Sequence, residues 1–521
     1  MKNINRCSES IRSGYRLVTA LGLAVISFFT ILSSVSLADN FNLHSSSPGV
    51  SPQYQVQADS IDPDDTDMSD LTSFEFSKKL VPGWNVGNSL EAIGGETAWG
   101  NPLITRELMD SIKAAGFNSV RIPVAWRDHA DSLVLDTTWL TRVEEVVNYV
   151  IDAGMYAVIN EHWDNGWVVP DYEHQDSVAQ ALDTLWTQIA VHFRDYNDSL
   201  LFAGTNEVMI EGDYDTPTQE YYTVQNSYNQ TFVNTVRSTG GRNYYRYLLV
   251  QGFNTNIDYT HQFFVMPDDP VEKRLMVEVH YYDPYNFTLN SNSNITQWGK
   301  HATNSSRTET WANESYADGQ FQKMKTDFVD EGYGVIIGEY GAIARLELGS
   351  DELNAQHAMF REYYLAYITH SIYMHDLVPV YWDNGYTSNN ALGLFNRSTG
   401  EKAYTDIINT IIEACDSSYS PDVTDVEDDE ELPSQSYLNQ NYPNPFNPET
   451  IISYSLGKQS NVSLRVYDII GREIGVLINN EAKAPGNYQV AFSGEGLSSG
   501  MYFYKLNTDN YVEIKKMMLL K

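Results

Sequence analysis

The chain of 521 residues carries only two cysteines, Cys7 and Cys415. Cys7 falls in a segment expected to be removed, so the mature chain keeps one thiol and no internal disulfide. Cys415 reads as a buried structural thiol rather than a nucleophile, because nothing near it in sequence would activate it. No cysteine stands directly after the expected cleavage point, where Asp39 is found, which argues against a lipid-anchored form. Basic charge is scarce as well: 33 Lys and Arg stand against 69 Asp and Glu, a net charge of −36. Nucleic acids and acidic membrane surfaces draw their affinity from Lys and Arg, so neither is an expected partner. Beyond residue 37 no apolar run is long enough to cross a bilayer, so no membrane span is expected once the N-terminus is cleaved. No Gly-rich phosphate loop follows the first strand-like run, which reads Gly83-Trp84-Asn85-Val86-Gly87-Asn88. No compact metal-ligand motif such as H-E-x-x-H occurs, and neither a metal nor a cofactor is expected.

What is present is apolar and aromatic material. Hydrophobic residues make up 42% and aromatics 13%, with 36 Tyr and 10 Trp. That is enough for a sizeable core, and flat apolar faces suit sugar rings as well as packed interiors. Lys2, Arg6, Arg12 and Arg16 precede an apolar run over residues 17–37, and Ser36-Leu37-Ala38 gives small-residue cleavage chemistry before Asp39. Residues 1–38 therefore read as a secretory signal peptide, with an uncleaved anchor helix as the alternative. Residues 39–70, rich in Ser, Pro and Asp, read as a flexible lead-in. Residues 417–435 form an acidic linker around Glu427-Asp428-Asp429-Glu430-Glu431, a block that repels itself and stays solvated. Its spacing matches no EF-hand loop.

Between these linkers, residues 71–416 alternate in period. Strand-like runs lie at 83–86, 119–123, 156–160, 200–202, 247–251, 275–280, 334–337 and 378–382. Helical spacing appears at 105–115, 140–151, 178–193 and 355–367, the first ending at Gly116. Eight strands interleaved with helices predict an α/β protein whose parallel sheet closes into a (β/α)₈ TIM barrel, a doubly wound open sheet being the competitor. Residues 436–521 change texture. Short alternating runs at 451–456, 461–467, 473–478, 488–492 and 502–506, broken by Gly, Asn and Ser, predict a small all-β Ig-like sandwich.

In such a barrel the chemistry sits at the C-terminal strand ends. The polar residues ending the runs are Asn88, Arg121, His162, Asn206 with Glu207, His280 with Tyr282, and Glu339, with Trp382 at the last. Glu207 and Glu339 end the fourth and seventh runs. Two carboxylates across a cleft are what glycosidic cleavage needs: one delivers a proton to the leaving oxygen, the other attacks or stabilises the anomeric carbon. Arg121 with His and Tyr hydrogens would hold the attacking group ionised, and Trp382 would floor the sugar site. A metal site built from His162, His280 and Glu339 is the other functional reading of the same residues.

Residues 81–101 (VPGWNVGNSLEAIGGETAWGN), 119–126 (SVRIPVAW), 155–167 (MYAVINEHWDNGW) and 201–209 (LFAGTNEVM) resemble, in order, the motifs of glycoside hydrolase family 5. So do 276–286 (MVEVHYYDPYN), 335–341 (VIIGEYG) and 381–385 (YWDNG). The resemblance implies a retaining hydrolase with Glu207 as acid/base and Glu339 as nucleophile. It further implies a polar shell of Arg121, His162, His280 and Tyr282, with Asn206 on the sugar 2-hydroxyl and Trp382 stacked beneath. The stretch holding Trp84, Asn88, Glu91 and Trp99 is similar to the cellulase and xyloglucanase branch. His162-Trp163 stands where a His-His pair is common, leaving the contribution of Trp163 open. The expected activity is that of a secreted retaining endo-β-1,4-glucanase acting on cellulose or related β-glucans, polysaccharide or oligosaccharide, with the two carboxyl groups about 5–5.5 Å apart. A xyloglucanase, lichenase or β-mannanase using the same machinery, or a polysaccharide-binding protein without turnover, are the alternatives.

At the other end, Asn441-Tyr442-Pro443-Asn444-Pro445-Phe446-Asn447-Pro448, Val466-Tyr467-Asp468, Gly471-Arg472 and Gly500-Met501-Tyr502 resemble the sorting domain of type IX secretion cargo. That resemblance implies export through secretion machinery recognising residues 436–521, and a secreted or outer-surface location. The lack of Trp in this region argues against a sugar-stacking module, so Tyr442, Tyr467, Tyr488, Tyr502 and Tyr504 read as core or edge residues.

Overall fold

The computed structural model describes residues 61–421, 436–438, 440–441 and 444–520. The expected signal peptide, most of the expected lead-in, the acidic block and Tyr442 lie outside the described residues. Two compact units divide at Pro421.

In the first unit, eight strands form a closed parallel barrel: β1 (Gly83–Val86), β2 (Ser119–Ile122), β3 (Tyr156–Asn160), β4 (Leu200–Ala203), β5 (Leu248–Asn256), β6 (Leu275–Tyr281), β7 (Gly334–Tyr340) and β8 (Val378–Asp383). Every strand-like run of the sequence between residues 83 and 382 becomes a barrel strand. A helix follows each strand: α1 (Arg106–Ala115), α2 (Thr137–Asp152), α3 (Gln175–His192), α4 (Gln219–Ser238), α5 (Ile257–Phe263), α6 (Glu314–Met324), α7 (Asp351–Met374) and α8 (Thr405–Glu413).

The helix ends follow local chemistry. Thr105 caps α1 by accepting from the Leu108 N–H, and Gly116 closes it in the left-handed conformation at φ +112°, where a β-carbon is disfavoured. Asp136 caps α2 through the Thr138 N–H, and Trp139, Leu140, Val143, Val146, Val147 and Val150 form its buried face. Helix α4 carries no clean apolar stripe, because Gln225, Asn229 and Arg237 share its buried side with Val224, Tyr228 and Phe232. Gln225 and Asn229 both donate to the Gln251 carbonyl. That polar use of a buried face is why periodicity alone does not reveal α4.

Side chains alternate across each strand, so inward positions stack in layers. The lower layer is apolar: Val158, Leu201, Leu249, Met276, Ile336, Val378 and Val380 pack with Phe76 and Leu80. Two positions further along three of these strands stand the buried polar residues Asn160, Gln251 and Glu278, and there the chemistry begins. Residues 61–70, part of the expected flexible lead-in, are instead tied to the barrel unit. Ile61–Pro63 pairs with Gly240–Gly241, and the Ser69 N–H donates to Asp198 at 2.5 Å.

The second unit has two antiparallel sheets. One joins β9 (Tyr437–Leu438), β10 (Glu449–Leu456) and β13 (Gly486–Ser493); the other orders β12 (Glu473–Lys483), β11 (Ser460–Tyr467), β14 (Gly500–Asn507) and β15 (Val512–Leu519). Its core includes Leu438, Phe446, Ile452, Leu464, Val466, Tyr502 and Tyr504. Strand β15 has no counterpart among the expected runs, since Lys515 and Lys516 interrupt its alternation before Met517 and Leu519 turn inward.

Candidate active site

Glu207 lies four residues past the end of β4, whereas Glu339 sits within β7, in register with His280 of β6. The two carboxylates meet different surroundings: the Glu207 side chain is 43% exposed, that of Glu339 only 8%. His280 stands between them. Its Nδ1 is 2.7 Å from Glu207 Oε1 and 3.8 Å from Glu339 Oε2. Glu207, His280 and Glu339 each place a donor atom within 4.8 Å of the others.

Arg121, buried at the mouth of β2, reaches several of these groups at once. Its Nη1 donates to Glu339 Oε1 at 3.0 Å and to Asn85 Oδ1 at 3.1 Å, and its Nη2 to Asn206 Oδ1 at 2.6 Å. The Tyr282 hydroxyl donates to Glu339 Oε2 at 3.2 Å. Burial pushes the Glu339 carboxyl above the usual range, while His280 and Arg121 favour its anion and Glu207 and Glu278 disfavour it. For His280, burial opposes the charge, but Glu339, Glu207 and Glu278 overcome it and raise its pKa to about 9. His280 is therefore an imidazolium at neutral pH.

His162 is the opposite case. Burial, then the charges of Arg121 and His280, hold it well below the ordinary histidine range, so its ring is neutral. Its Nδ1 lies 3.1 Å from the Asn160 amide nitrogen, which leaves the ring proton on Nε2. The ring lies parallel to Trp382, 5.7 Å between centroids and 6° between planes. His162 thus belongs with the aromatic floor, and the alternative metal trio of His162, His280 and Glu339 is not the group that assembles. Trp163 beside it is 43% exposed.

Beneath Trp382, the β1 and β8 ends are laced together. Asn88 has a left-handed backbone at φ +56°, and its N–H and that of Ser89 both donate to the Glu91 carboxylate. Asn101 donates to the carbonyls of Asn88 and Asn384. Arg397 donates to Ser89 Oγ, to the Gly87 carbonyl and to both the carbonyl and carboxylate of Asp383. Gly87 has to lack a side chain, since a β-carbon there would lie 2.7 Å from the Trp382 ring.

Sequence reasoning did not single out Glu278, Asn85 or Gln251. All three are fully buried. Their signal was available: each occupies an inward strand position at the level of Arg121, in a register where an apolar residue is the default. A cavity of about 340 Å³ between Ser77–Val81 and Tyr373–Val378 lies at the opposite end of the barrel, away from all of these residues.

Comparison with known proteins places this geometry. Residues 85–388 match the family model described as cellulase (glycosyl hydrolase family 5). The chain belongs to glycoside hydrolase family 5. This family 5 enzyme is 40% identical over 370 residues to endoglucanase A of Paenibacillus barcinonensis, covering 67% of this chain and 91% of that protein. It is 42% identical over 357 residues to a xyloglucan-specific endo-beta-1,4-glucanase of Bacteroides ovatus, covering 66% and 70%. Among solved structures, the Bacteroides ovatus family 5 xyloglucanase bound to a XXXG heptasaccharide superposes with a TM-score of 0.66 at 40% identity, covering 68% of this chain and 79% of that one. Residues 440–520 match a secretion system C-terminal sorting domain. The protein is a glycoside hydrolase of the endoglucanase group, and its sorting domain marks it as secreted or held at the cell surface.

Proposed function

We propose that this hydrolase cleaves internal β-1,4-glucosidic bonds of a β-glucan with retention, Glu339 acting as nucleophile and Glu207 as acid/base. The observation that carries the reading is the approach of the two carboxylates, with one oxygen of each inside 4.8 Å. Retaining enzymes hold this pair about 5–5.5 Å apart, and inverting ones about 6.5–9.5 Å, to admit a water.

In the first step a Glu339 oxygen attacks the anomeric carbon as the glycosidic C–O bond breaks, and the Glu207 proton passes to the leaving oxygen. In the second, Glu207 takes a proton from water, whose oxygen displaces Glu339 from the sugar. Arg121 and Tyr282 hold one Glu339 oxygen each and so aim the attacking lone pair. Asn206, fixed by Arg121, offers its amide N–H to the sugar 2-hydroxyl. Asn88, His162 and Trp382 line the glycone side. Residues 71–416 form the catalytic part, and the sandwich of residues 436–521 is the portion read by secretion machinery.

The test is Glu339→Ala in the full chain, assayed by reducing-sugar release from carboxymethylcellulose, barley β-glucan, xyloglucan and mannan. Turnover should disappear while tryptophan fluorescence stays that of the folded protein. Substantial residual turnover would mean that another group is the nucleophile, and a wild-type preference for xyloglucan or mannan would move the substrate accordingly.

A further inference from the structure

Glu278 is a carboxylate beside the site with a side chain at 0% exposure, and no step above uses it. It sits on β6 two residues before His280, so both side chains point into the barrel. Space for it is made across the barrel wall by Gly338 of β7, where an added β-carbon would lie 2.1 Å from Glu278 Oε1. Any side chain at Gly338 would evict the carboxylate.

Three contacts radiate from it. Oε1 forms an ion pair with Arg121 Nε at 2.7 Å, on the same guanidinium whose other nitrogens hold Glu339 and Asn206. Oε1 also lies 3.5 Å from His280 Nε2, so the two ring nitrogens of His280 face Glu278 on one side and Glu207 on the other. Oε2 accepts from Gln251 Nε2 at 2.7 Å. Gln251 Oε1 in turn accepts from the Thr205 N–H at 3.0 Å and its hydroxyl at 3.1 Å, one residue before Asn206 and two before Glu207.

We propose that Glu278 is a positioning residue for the reaction: it anchors Arg121 beneath the nucleophile, keeps His280 cationic against the acid/base, and fixes the turn that carries Glu207. This rests on the assignment of Glu207 and Glu339 made above. The titratable groups around His280 are Glu207 from the β4 turn, Glu339 from β7, Glu278 from its own strand and His162 just past β3, with Arg121 of β2 sharing the Glu278 and Glu339 carboxylates. Among these acids only Glu278 is clear of the bond-making, so its charge stays constant through both steps. Although burial alone would raise its pKa, Arg121 and His280 bring it to about 2, and it is ionised across the working range.

The experiment compares wild type with Glu278→Gln and Glu278→Asp in the full chain, reading kcat, KM and the pH profile of kcat on a soluble β-glucan. Glu278→Gln should lower kcat by about a hundredfold, the scale of a small misplacement of reacting groups. KM should change little. The alkaline limb should move acidward by about one unit, because one of the negative charges facing His280 is gone. Glu278→Asp keeps the charge but is one methylene too short for Arg121 and Gln251 together; it should lose kcat while its limb stays close to wild type. A purely structural residue would not split charge from reach in this way. Wild-type kcat and limb in Glu278→Gln overturn the proposal. Should that variant not fold, wild-type kcat in Glu278→Asp does so. A His280 ring found neutral at pH 8 by nitrogen-15 NMR of the wild-type chain overturns it whatever the variants do. If Glu339→Ala retains turnover, it is the nucleophile assignment that falls.

Discussion

Glu91 gives a prediction whose sign is unusual for a carboxylate. It is 2% exposed, and burial raises its pKa to about 7 against the capped N–H groups of Ser89 and Asn88 and the charge of Arg397. An unfolded chain releases this proton near the ordinary glutamate value of 4.5. Between those two values the folded state binds more protons than the unfolded one, so stability is fullest below pH 4.5 and falls as pH rises towards 7. The difference, 7 − 4.5 = 2.5 units, corresponds to about 3 kcal/mol at about 1.36 kcal/mol per unit. Glu91→Gln mimics the protonated acid at every pH and removes that dependence. Near pH 4.5 the variant should match wild type to within about 1 kcal/mol, the net worth of one altered hydrogen bond. At pH 8 it should be the more stable by up to about 3 kcal/mol. Urea unfolding followed by tryptophan fluorescence isolates the effect, because all ten tryptophans lie between Trp84 and Trp382. Parallel wild-type and variant curves from pH 4.5 to 8 would refute the reasoning.

Two further outcomes are expected. Arg397→Leu leaves the fully buried Asp383 without its counter-charge, so barrel stability should fall by about 3–5 kcal/mol in the same urea assay; a loss below about 1 kcal/mol would show that the Trp84, Gly385 and Leu394 donors to Asp383 suffice alone. A chain ending at Pro421, where the two compact units divide, should hydrolyse β-glucan at the full-length rate but remain inside the producing cell, as fractionation and activity assays would read; export of the shortened chain would remove the sorting role from residues 436–521.

The barrel was legible because its strands are short apolar runs flanked by punctuating residues, and each run from residue 83 to 382 forms a strand. What stayed hidden was buried polarity. Helix α4 turns Gln225 and Asn229 inward to serve the Gln251 carbonyl, so its period is blurred. Glu278 reads as one acid in an apolar strand until β6 and β7 are seen side by side and Gly338 explains its room. The strand-end residues Arg121, Asn206, His280, Tyr282 and Glu339 could be picked from position alone, since parallel strands bring their C-terminal ends to one face. Their division of labour could not. Whether a histidine is cationic like His280 or neutral like His162 depends on which carboxylates and cations crowd it, and those partners come from strands far apart in the chain.

Charge balance ties these residues into one device on the proposed assignment. Arg121 and cationic His280 bring two positive charges into a largely dry site, and Glu278 supplies one fixed negative charge. Neutrality then requires one more negative charge from the pair Glu207 and Glu339 taken together. Before the first step that charge sits on Glu339, with the proton on Glu207. In the covalent intermediate Glu339 is an ester and Glu207 carries the charge. The total is unchanged, so the low-dielectric surroundings have no net charge to resolvate as the sugar is handed over. Neutralising Glu278 would leave the same cycle running at a net charge of one positive, which favours the doubly ionised carboxylate pair and starves the first step of its proton donor. The layer of buried polar residues two positions above the apolar plug is thus what lets two ordinary glutamates exchange one proton and one sugar without an electrostatic penalty at either end.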